Sequence, residues 1–265
     1  MKKVLFYRKG AFGDTLLTFP IFEVLKRKDY YIVAIGNTDY LKIAKELNWI
    51  DEIYSDFYKE ILKKNYELKI IFSKTEGFDP FPSERIWIVD YYFNLLKLEK
   101  NFSLVLPIKD SIESPFKNKV VLHPGSGSFK KIPDFSLFEK IEKFFRSKGL
   151  EVIYFVGEAD SWIKNFTQNF WECFDPLILA KVLKKAKLFI GVDSGVSHLA
   201  SYLGIKSFIF YGPTDTLLWK PIGKNYKIIS LNLKCSPCFP KVCEERPCLD
   251  SSLLFDKFLK AFNDL

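Results

Sequence analysis

The chain has 265 residues, of which 48% are hydrophobic and 17% aromatic, and its formal net charge is +8. This composition excludes intrinsic disorder and fibrous structure, and the length suffices for two ordinary domains. The positive charge favours an anionic partner, but the lack of a dense basic run argues against nucleic acid as that partner. The apolar runs are too short and too interrupted for a secretory signal or a membrane-spanning helix, so we predict a cytoplasmic protein that meets membranes only at their surface.

Short apolar runs alternate with helical patterns from the start of the chain. In the first half the predicted elements are strands at 4–7, 31–35 and 68–72 and helices at 14–28, 40–47 and 89–98. Pro20 should perturb the first of these helices, because proline lacks the amide proton that the helical ladder needs. The loop at 73–82 is long enough to border a site.

The second half repeats this alternation after a polar, proline-containing segment at 107–118, which we predict to be a linker. The predicted elements are strands at 120–122, 152–156, 188–192 and 207–211 and helices at 135–147, 177–185, 197–203 and 253–262. Strands separated by helices indicate parallel sheets. We therefore predict an α/β protein with two Rossmann-like domains, 1–112 and 113–265, that face each other across a cleft and whose last helix can pack back on the first domain.

The turn between the first strand and the first helix is residues 8–14 (RKGAFGD). In parallel α/β sheets, ligands bind outside the carboxyl ends of strands, where this turn lies. Gly10 and Gly13 permit a tight turn and the close approach of a ligand. Asp14 is suited to capping the helix N-terminus, so a purely structural role is the alternative to a chemical one. The spacing matches neither the dinucleotide fingerprint nor a P-loop, which argues against nicotinamide and ATP as ligands.

A second glycine-rich turn at 123–133 (HPGSGSFKKIP) follows a predicted strand. Backbone N–H groups around Gly125 and Ser126 are suited to cradle phosphate oxygens, and Lys130 or Lys131 would neutralise their charge. An ordinary flexible loop with two solvated lysines is the alternative interpretation, and the sequence weighs the two about equally.

A third turn at 191–198 (GVDSGVSH) joins a strand to a helix. The helix start at Asp193, Ser194 and Gly195 offers N–H donors and a positive helix end to a diphosphate. His198 lies within the first turn of that helix, where a histidine is more often a hydrogen-bonded structural residue than a catalyst. The chain has only two histidines and no nucleophile-elbow motif, which argues against a histidine-rich catalytic metal site and against a serine hydrolase triad.

Four of the five cysteines, Cys235, Cys238, Cys243 and Cys248, lie within one proline-containing stretch. Four thiols at this density are able to bind zinc, and such an ion would be structural rather than catalytic. Packed free thiols and a pair of disulfides are the alternatives, because the spacing departs from the usual two-knuckle pattern.

Taken in order, these turns resemble glycosyltransferase family 9, the ADP-heptose:lipopolysaccharide heptosyltransferases. The opening Gly-Asp pattern of that family is matched at 8–20, and its central H-P-G-S/A…K-x-W-P pattern is matched at 123–133, with Ile132 in place of the usual tryptophan. Its D-S/T-G-x-x-H-L-A pattern is matched at 193–204 and its F/Y-G-P-T-D pattern at 210–215. The cysteine-rich tail also resembles that of many members, so the resemblance spans nearly the whole chain.

The resemblance implies a GT-B fold and an inverting, metal-independent transfer of heptose from ADP-heptose to an anionic glycolipid, the lipopolysaccharide inner core. It implies that Asp14 is the general base and that Lys130, with Lys131 as the alternative, stabilises the departing diphosphate. No cofactor is required in this scheme. The other residues it implies in substrate binding are Arg8 and Lys9 for the acceptor, Glu158 for the nucleotide ribose, and Gly13, Gly125, Ser126, Asp193, Ser194, Gly195 and His198.

The first domain would thus bind the acceptor and the second the nucleotide sugar, at the inner face of the cytoplasmic membrane. Three alternatives stay open: a family relative that uses another nucleotide sugar, a nicotinamide-dependent oxidoreductase, and a nucleotide-binding module without catalysis. A shared fold cannot decide among them, because one fold hosts many functions.

Overall fold

Strands that run parallel to their neighbours make up both sheets of the protein. The computed structural model describes residues 2–57, 61, 64–109, 111–241 and 243–264. The chain divides into two units, Met1–Ser103 and Leu104–Leu265, and each unit contains one of the two sheets. The predicted α/β alternation with parallel strands is confirmed in both units.

The first unit places its first strand in the interior of its sheet. Its strands are β1 (Lys3–Arg8), β2 (Tyr31–Gly36), β3 (Glu52–Tyr54) and β4 (Leu68–Ile71), and its helices are α1 (Phe12–Leu16), α2 (Phe19–Arg27), α3 (Thr38–Glu46) and α4 (Ile88–Leu96). The strand order is β3-β2-β1-β4. Val4, Leu5 and Phe6 of β1 are buried, as expected for a central parallel strand that is apolar on both faces.

The single helix predicted at 14–28 is wrong, because two helices, α1 and α2, occupy this part of the chain. The break falls at Leu17 and Thr18, where Thr18 Oγ1 donates a hydrogen bond to Thr15 O at 2.7 Å. Pro20 lies in the first turn of α2, where the missing amide proton is tolerated. Since α1 already begins at Phe12, Asp14 lies within its first turn.

The second unit has a larger sheet, and its two central strands carry the turns of interest. Its strands are β5 (Val120–His123), β6 (Val152–Val156), β7 (Phe170–Glu172), β8 (Leu188–Val192), β9 (Ser207–Phe210) and β10 (Tyr226–Ile229), and its helices are α5 (Ser136–Ser147), α6 (Pro176–Leu183), α7 (Gly195–Tyr202) and α8 (Ser251–Asn263). The strand order is β10-β9-β8-β5-β6-β7. Across the part of the chain that the structure describes, no helix is both long enough and apolar enough to cross a membrane.

The segment at 104–109 belongs to the second unit, whereas the predicted domain boundary lay after residue 112. The Leu106 N–H donates a hydrogen bond to Tyr202 O at 2.6 Å, and Lys184 Nζ donates to Ile108 O at 2.6 Å. These long-range bonds fix the segment to α6 and α7, and the polar, proline-containing composition that suggested a linker gives no sign of them.

The last helix, α8, buries its apolar side in the core of the second unit. Leu254 and Phe258 are both fully buried. The Phe258 ring centroid lies 5.2 Å from that of Phe208 and 6.0 Å from that of Phe145. The apolar side of this helix is thus filled within the second unit, whereas the sequence pattern allowed it to pack on the first.

Three short strands, β3, β7 and β10, were not predicted from the sequence. Each lies at the edge of its sheet and has only three or four residues. Their side chains are mostly half-buried, so the continuous apolar run that marks a central parallel strand is missing.

We expect Phe258→Ala to lower the free energy of unfolding of the second unit by about 3–5 kcal/mol, because it removes a buried ring and leaves a cavity. Leu253→Ala on the same helix is the matched control, since the Leu253 side chain is 54% exposed. Urea unfolding followed by circular dichroism measures both variants. Equal stability of the two variants would contradict the placement of Phe258 in this core.

Candidate functional site

Two of the turns singled out in the sequence lie side by side in the second unit. Strands β5 and β8 pair in parallel, with His123 opposite Gly191 near their carboxyl ends. The turn at 124–128 leaves β5, and the turn at Asp193 and Ser194 leaves β8. Because carboxyl ends of parallel strands open at the same edge of the sheet, both turns border the crevice where α/β proteins bind ligands.

Asp193 connects these two turns. Its side chain is almost completely buried, and Lys131 Nζ forms an ion pair with Asp193 Oδ2 at 2.8 Å. The backbone carbonyl of Asp193 accepts a hydrogen bond from Ser126 Oγ, also at 2.8 Å. Lys131 and Ser126, two of the predicted phosphate-binding residues, therefore both bind Asp193 in the third turn.

Helix α7 begins at Gly195 with its N-terminus at this edge. Ser194 is the N-cap residue, and its Oγ accepts a hydrogen bond from the Ser197 N–H at 3.3 Å. Ser197 Oγ in turn donates to Val192 O at 2.5 Å, which fastens the first helical turn to the end of β8. A helix N-terminus held in this way presents N–H donors and partial positive charge to an anion. His198 lies within the same first turn and is buried.

The two lysines of the second turn have different partners. Lys131 is bound to Asp193, whereas Lys130 Nζ donates a hydrogen bond to the Pro240 carbonyl at 2.7 Å. The ammonium of Lys131 also lies 4.7 Å from the centroid of the Phe239 ring. Both lysines thus contact the stretch that contains the cysteines, a contact that the sequence did not predict.

Arg246 fixes the same turn from the far end of the cysteine-containing stretch. Its Nη1 atom donates hydrogen bonds to Phe129 O at 3.1 Å and to Ile132 O at 3.2 Å. The turn between Phe129 and Ile132 is therefore held by side-chain bonds to a segment more than a hundred residues away in the chain. Arg246 was not a candidate in the sequence, because a lone arginine in a loop carries no pattern that indicates such a role.

The buried pair of His123 and Asp160 was also missed. His123 Nε2 lies 2.9 Å from Asp160 Oδ2, and both side chains are buried. Burial opposes ionisation of Asp160, but the hydrogen bond and the charge interaction with His123, together with the Gly157 backbone, hold the pKa of this carboxyl below its usual range. The signal available in the sequence was an aspartate four residues after a buried strand, which is weak by itself.

Glu158, predicted to bind a ribose, lies just after β6 and is exposed. It shares the carboxyl edge of the sheet with the turns described above, because β6 pairs with β5.

Gly125 approaches Asp160 so closely that a Cβ atom there would lie 2.0 Å from Asp160 Oδ1. Glycine is therefore required at this position for steric reasons.

In the first unit, the turn after β1 brings Arg8 and Asp14 together. Asp14 Oδ2 accepts a hydrogen bond from the Ala11 N–H at 3.1 Å, so the capping contact of this carboxylate is present. Asp14 Oδ1 lies 3.9 Å from Arg8 Nη2, and the Asp14 side chain is 26% exposed. The Arg8 side chain is buried, with its guanidinium 5.4 Å from the centroid of the Phe81 ring. Asp14 therefore combines a fixed position with access to solvent.

The other two predicted residues of this turn lie at its surface. Lys9 is exposed, and its Nζ atom lies 3.5 Å from Asp56 Oδ2. Gly13 is within α1 and is partly exposed. Both therefore border the same carboxyl edge as Asp14.

The cysteines are all free thiols. Cys248 is buried, Cys238 is partly buried, and Cys235 and Cys243 are exposed. Burial raises the pKa of the Cys248 thiol, and the nearby Cys238 and Cys235 raise it further. Among the residues that the structure describes, no three His, Cys, Asp or Glu side chains are grouped as a metal ion would require. The structural zinc thus stays a prediction, and the described side chains offer no preformed ligand set for it.

Comparison with known proteins gives consistent matches. Residues 93–249 match the sequence model of glycosyltransferase family 9 (heptosyltransferase). Lipooligosaccharide heptosyltransferase 2 of Campylobacter jejuni is 27% identical over 230 residues, which are 77% of this chain and 70% of the relative.

Two heptosyltransferases of E. coli are among the solved structures that share the fold. The first is the ADP-heptose lps heptosyltransferase II of E. coli, with a TM-score of 0.75 and 12% identity over 100% of this chain and 99% of that one. The second is E. coli heptosyltransferase WaaC with ADP, with a TM-score of 0.69 and 14% identity over 98% and 99% of the two chains. The predicted fold, two Rossmann-like units of the GT-B type, is confirmed.

Proposed function

Because this chain belongs to glycosyltransferase family 9, the heptosyltransferases, we propose that it transfers a heptose from ADP-heptose to an acceptor in the lipopolysaccharide inner core. One observation carries the proposal: the Ser126 turn, the Lys131–Asp193 ion pair and the N-terminus of α7 converge at one sheet edge. The N–H donors of this edge suit a diphosphate, and Lys130 lies in the same turn as a cation that can reach it. The solved relatives that are named for ADP-heptose or contain ADP support the choice of donor.

In the proposed reaction, Asp14 removes the proton of the acceptor hydroxyl as that oxygen attacks the anomeric carbon of the donor. The bond between the anomeric carbon and the diphosphate oxygen breaks, ADP leaves with the electron pair, and the configuration inverts. A general base is needed because an alcohol is a weak nucleophile at neutral pH. Asp14 is suited to this task, since the Ala11 N–H holds one of its oxygens while the side chain stays partly exposed.

We assign the cation that stabilises the departing diphosphate to Lys130. Lys130 is bound to a neutral carbonyl of Pro240, which it can exchange for a phosphate oxygen without exposing a charge. Lys131, in contrast, is the partner of the buried Asp193 carboxylate, and its departure would leave that charge unpaired. Lys131 therefore supports the site by holding Asp193. A lysine and the N–H groups of α7 together replace a divalent cation in this proposal.

The acceptor is proposed to be an anionic, lipid-linked glycan at the cytoplasmic face of the membrane. The net charge of +8 favours an anionic partner, and Arg8 and Lys9 place two cations in the turn that contains Asp14. A family relative that transfers another nucleotide sugar is the remaining alternative. Because the chain belongs to a glycosyltransferase family, the two other hypotheses from the sequence, an oxidoreductase and a non-catalytic module, are set aside.

The proposed activity predicts a mass increase of one heptose residue when the protein is incubated with ADP-heptose and an inner-core lipid acceptor. Turnover should continue in excess chelator, since no divalent ion takes part. Mass spectrometry of the acceptor is the measurement, and UDP- and GDP-sugars are the comparison donors. Transfer from one of these donors but not from ADP-heptose would favour the family relative.

Replacing Asp14 by Asn should lower kcat by about 100-fold to 10,000-fold, because the amide cannot accept the proton. Binding of ADP, measured by calorimetry, should stay within about twofold of the unsubstituted protein, since the change is almost isosteric. Retention of full transferase activity would show that another group is the base.

The two lysines should respond differently to substitution. Lys130→Ala is expected to lower kcat by about 100-fold to 1,000-fold with little loss of stability, because it removes charge stabilisation of the leaving group. Lys131→Ala is expected to lower the free energy of unfolding by about 3 kcal/mol, because it leaves Asp193 buried without its cation. Steady-state kinetics and urea unfolding on both variants test the assignment, and the opposite pattern would exchange the two roles.

A further inference from the structure

A buried side-chain network joins the ends of three neighbouring strands beneath the proposed donor site. His123 ends β5, Asp160 follows β6, and Ser194 follows β8. His123 Nε2 contacts Asp160 Oδ2 at 2.9 Å, and His123 Nδ1 lies 3.4 Å from Ser194 Oγ. All three side chains are less than a tenth exposed. The imidazole ring therefore bridges a buried carboxylate and the residue that caps α7.

The carboxylate also shapes the glycine-rich turn. Asp160 Oδ1 is directed at the backbone of Gly125, where a Cβ atom would lie 2.0 Å away. Among the described residues, no donor forms a hydrogen bond to Asp160 Oδ1, although this oxygen is buried. A buried carboxylate oxygen without a partner is unfavourable for stability, and such groups in native proteins call for an explanation other than folding.

Both ends of this network reach groups that the proposed function uses. The Asp160 end touches Gly125, which precedes Ser126 in the phosphate-binding turn. The other end touches Ser194, whose Oγ accepts the Ser197 N–H and so sets the start of α7. The pairing of Nε2 with the carboxylate directs the opposite ring nitrogen, Nδ1, to Ser194.

We propose that His123 and Asp160 are positioning residues that hold the Gly125–Ser126 turn and the N-terminus of α7 in the geometry that binds the donor diphosphate. Neither residue is proposed to touch the donor or to move a proton in the reaction. The inference rests on the proposed function, since it concerns the affinity of the same site for its nucleotide. Its specific consequence is that loss of the pair weakens donor binding more than it slows the chemical step.

The test compares Asp160→Asn and His123→Gln with the matched control Tyr154→Phe. Tyr154 is buried in the same unit, and its hydroxyl donates to Glu142 Oε2 at 2.9 Å, an atom of α5 that belongs to neither turn. Calorimetry gives the Kd for ADP, steady-state kinetics gives KM and kcat for the donor, and thermal unfolding gives Tm for each full-length variant.

We expect Asp160→Asn to raise both the Kd for ADP and the donor KM by about tenfold or more, with kcat reduced less than threefold. His123→Gln keeps an N–H near the Nε2 position but loses the contact to Ser194, so it should fold and still bind ADP weakly. Tyr154→Phe should lower Tm and leave the Kd unchanged. A wild-type Kd in both Asp160→Asn and His123→Gln, or an equal rise in Tyr154→Phe, would overturn the proposal.

A double-mutant cycle with Ser194→Ala separates positioning from general destabilisation. If His123 acts through Ser194, the combined His123→Gln and Ser194→Ala variant should bind ADP no more weakly than the worse of the two single variants. If the two substitutions instead raise Kd independently, so that their effects multiply, His123 does not act through Ser194.

If the unsubstituted protein itself does not bind ADP, the proposed donor is wrong. If the unsubstituted protein binds ADP and the variants bind it equally well, the positioning role is wrong and the proposed function is unaffected.

Discussion

At the end of β8 the carboxylate of Asp193 is almost completely buried, and a charge in that position is stable only with a cation beside it. Lys131 supplies the cation, and this ion pair attaches the turn after β5 to the end of β8. Ser126 Oγ donates a hydrogen bond to the Asp193 carbonyl. Lys130, which precedes Lys131 in the sequence, donates to the Pro240 carbonyl. The need to compensate one buried charge thus helps to arrange the proposed diphosphate site, together with the hydrogen bonds from Arg246.

The two units use acidic residues at their carboxyl edges in different ways. In the second unit, Asp160 and Asp193 are buried and paired, which makes them parts of a fixed framework. In the first unit, Asp14 is held by one backbone N–H and remains partly exposed, which suits the general-base role proposed for it. Burial therefore distinguishes carboxylates that shape a site from one that is available for chemistry.

Aromatic packing connects the helices and the sheet of the second unit. Phe145, Phe208 and Phe258 form edge-to-face contacts that connect α5, β9 and α8. Edge-to-face rings add specific geometry to the burial of apolar area, so they favour one arrangement of helix and sheet. These rings belong to the core of the unit whose strands carry the polar turns at their carboxyl ends.

The sequence by itself determined the central strands, the helices and the three glycine-rich turns, because an apolar run, a helical period and a glycine at a strand end are local signals. It did not reveal the edge strands β3, β7 and β10, whose half-buried residues lack such a pattern, or the break of the first helix at Thr18.

Only the tertiary structure decided which lysine pairs with Asp193, that Arg246 fixes the turn at 129–132, and that His123 is joined to Asp160. The reason is physical. A side chain's partner at this edge comes from a different strand or a distant loop, and the distance between such residues is set by the order of strands in the sheet. Spacing along the chain encodes which elements form, whereas the packing of those elements determines which charges meet.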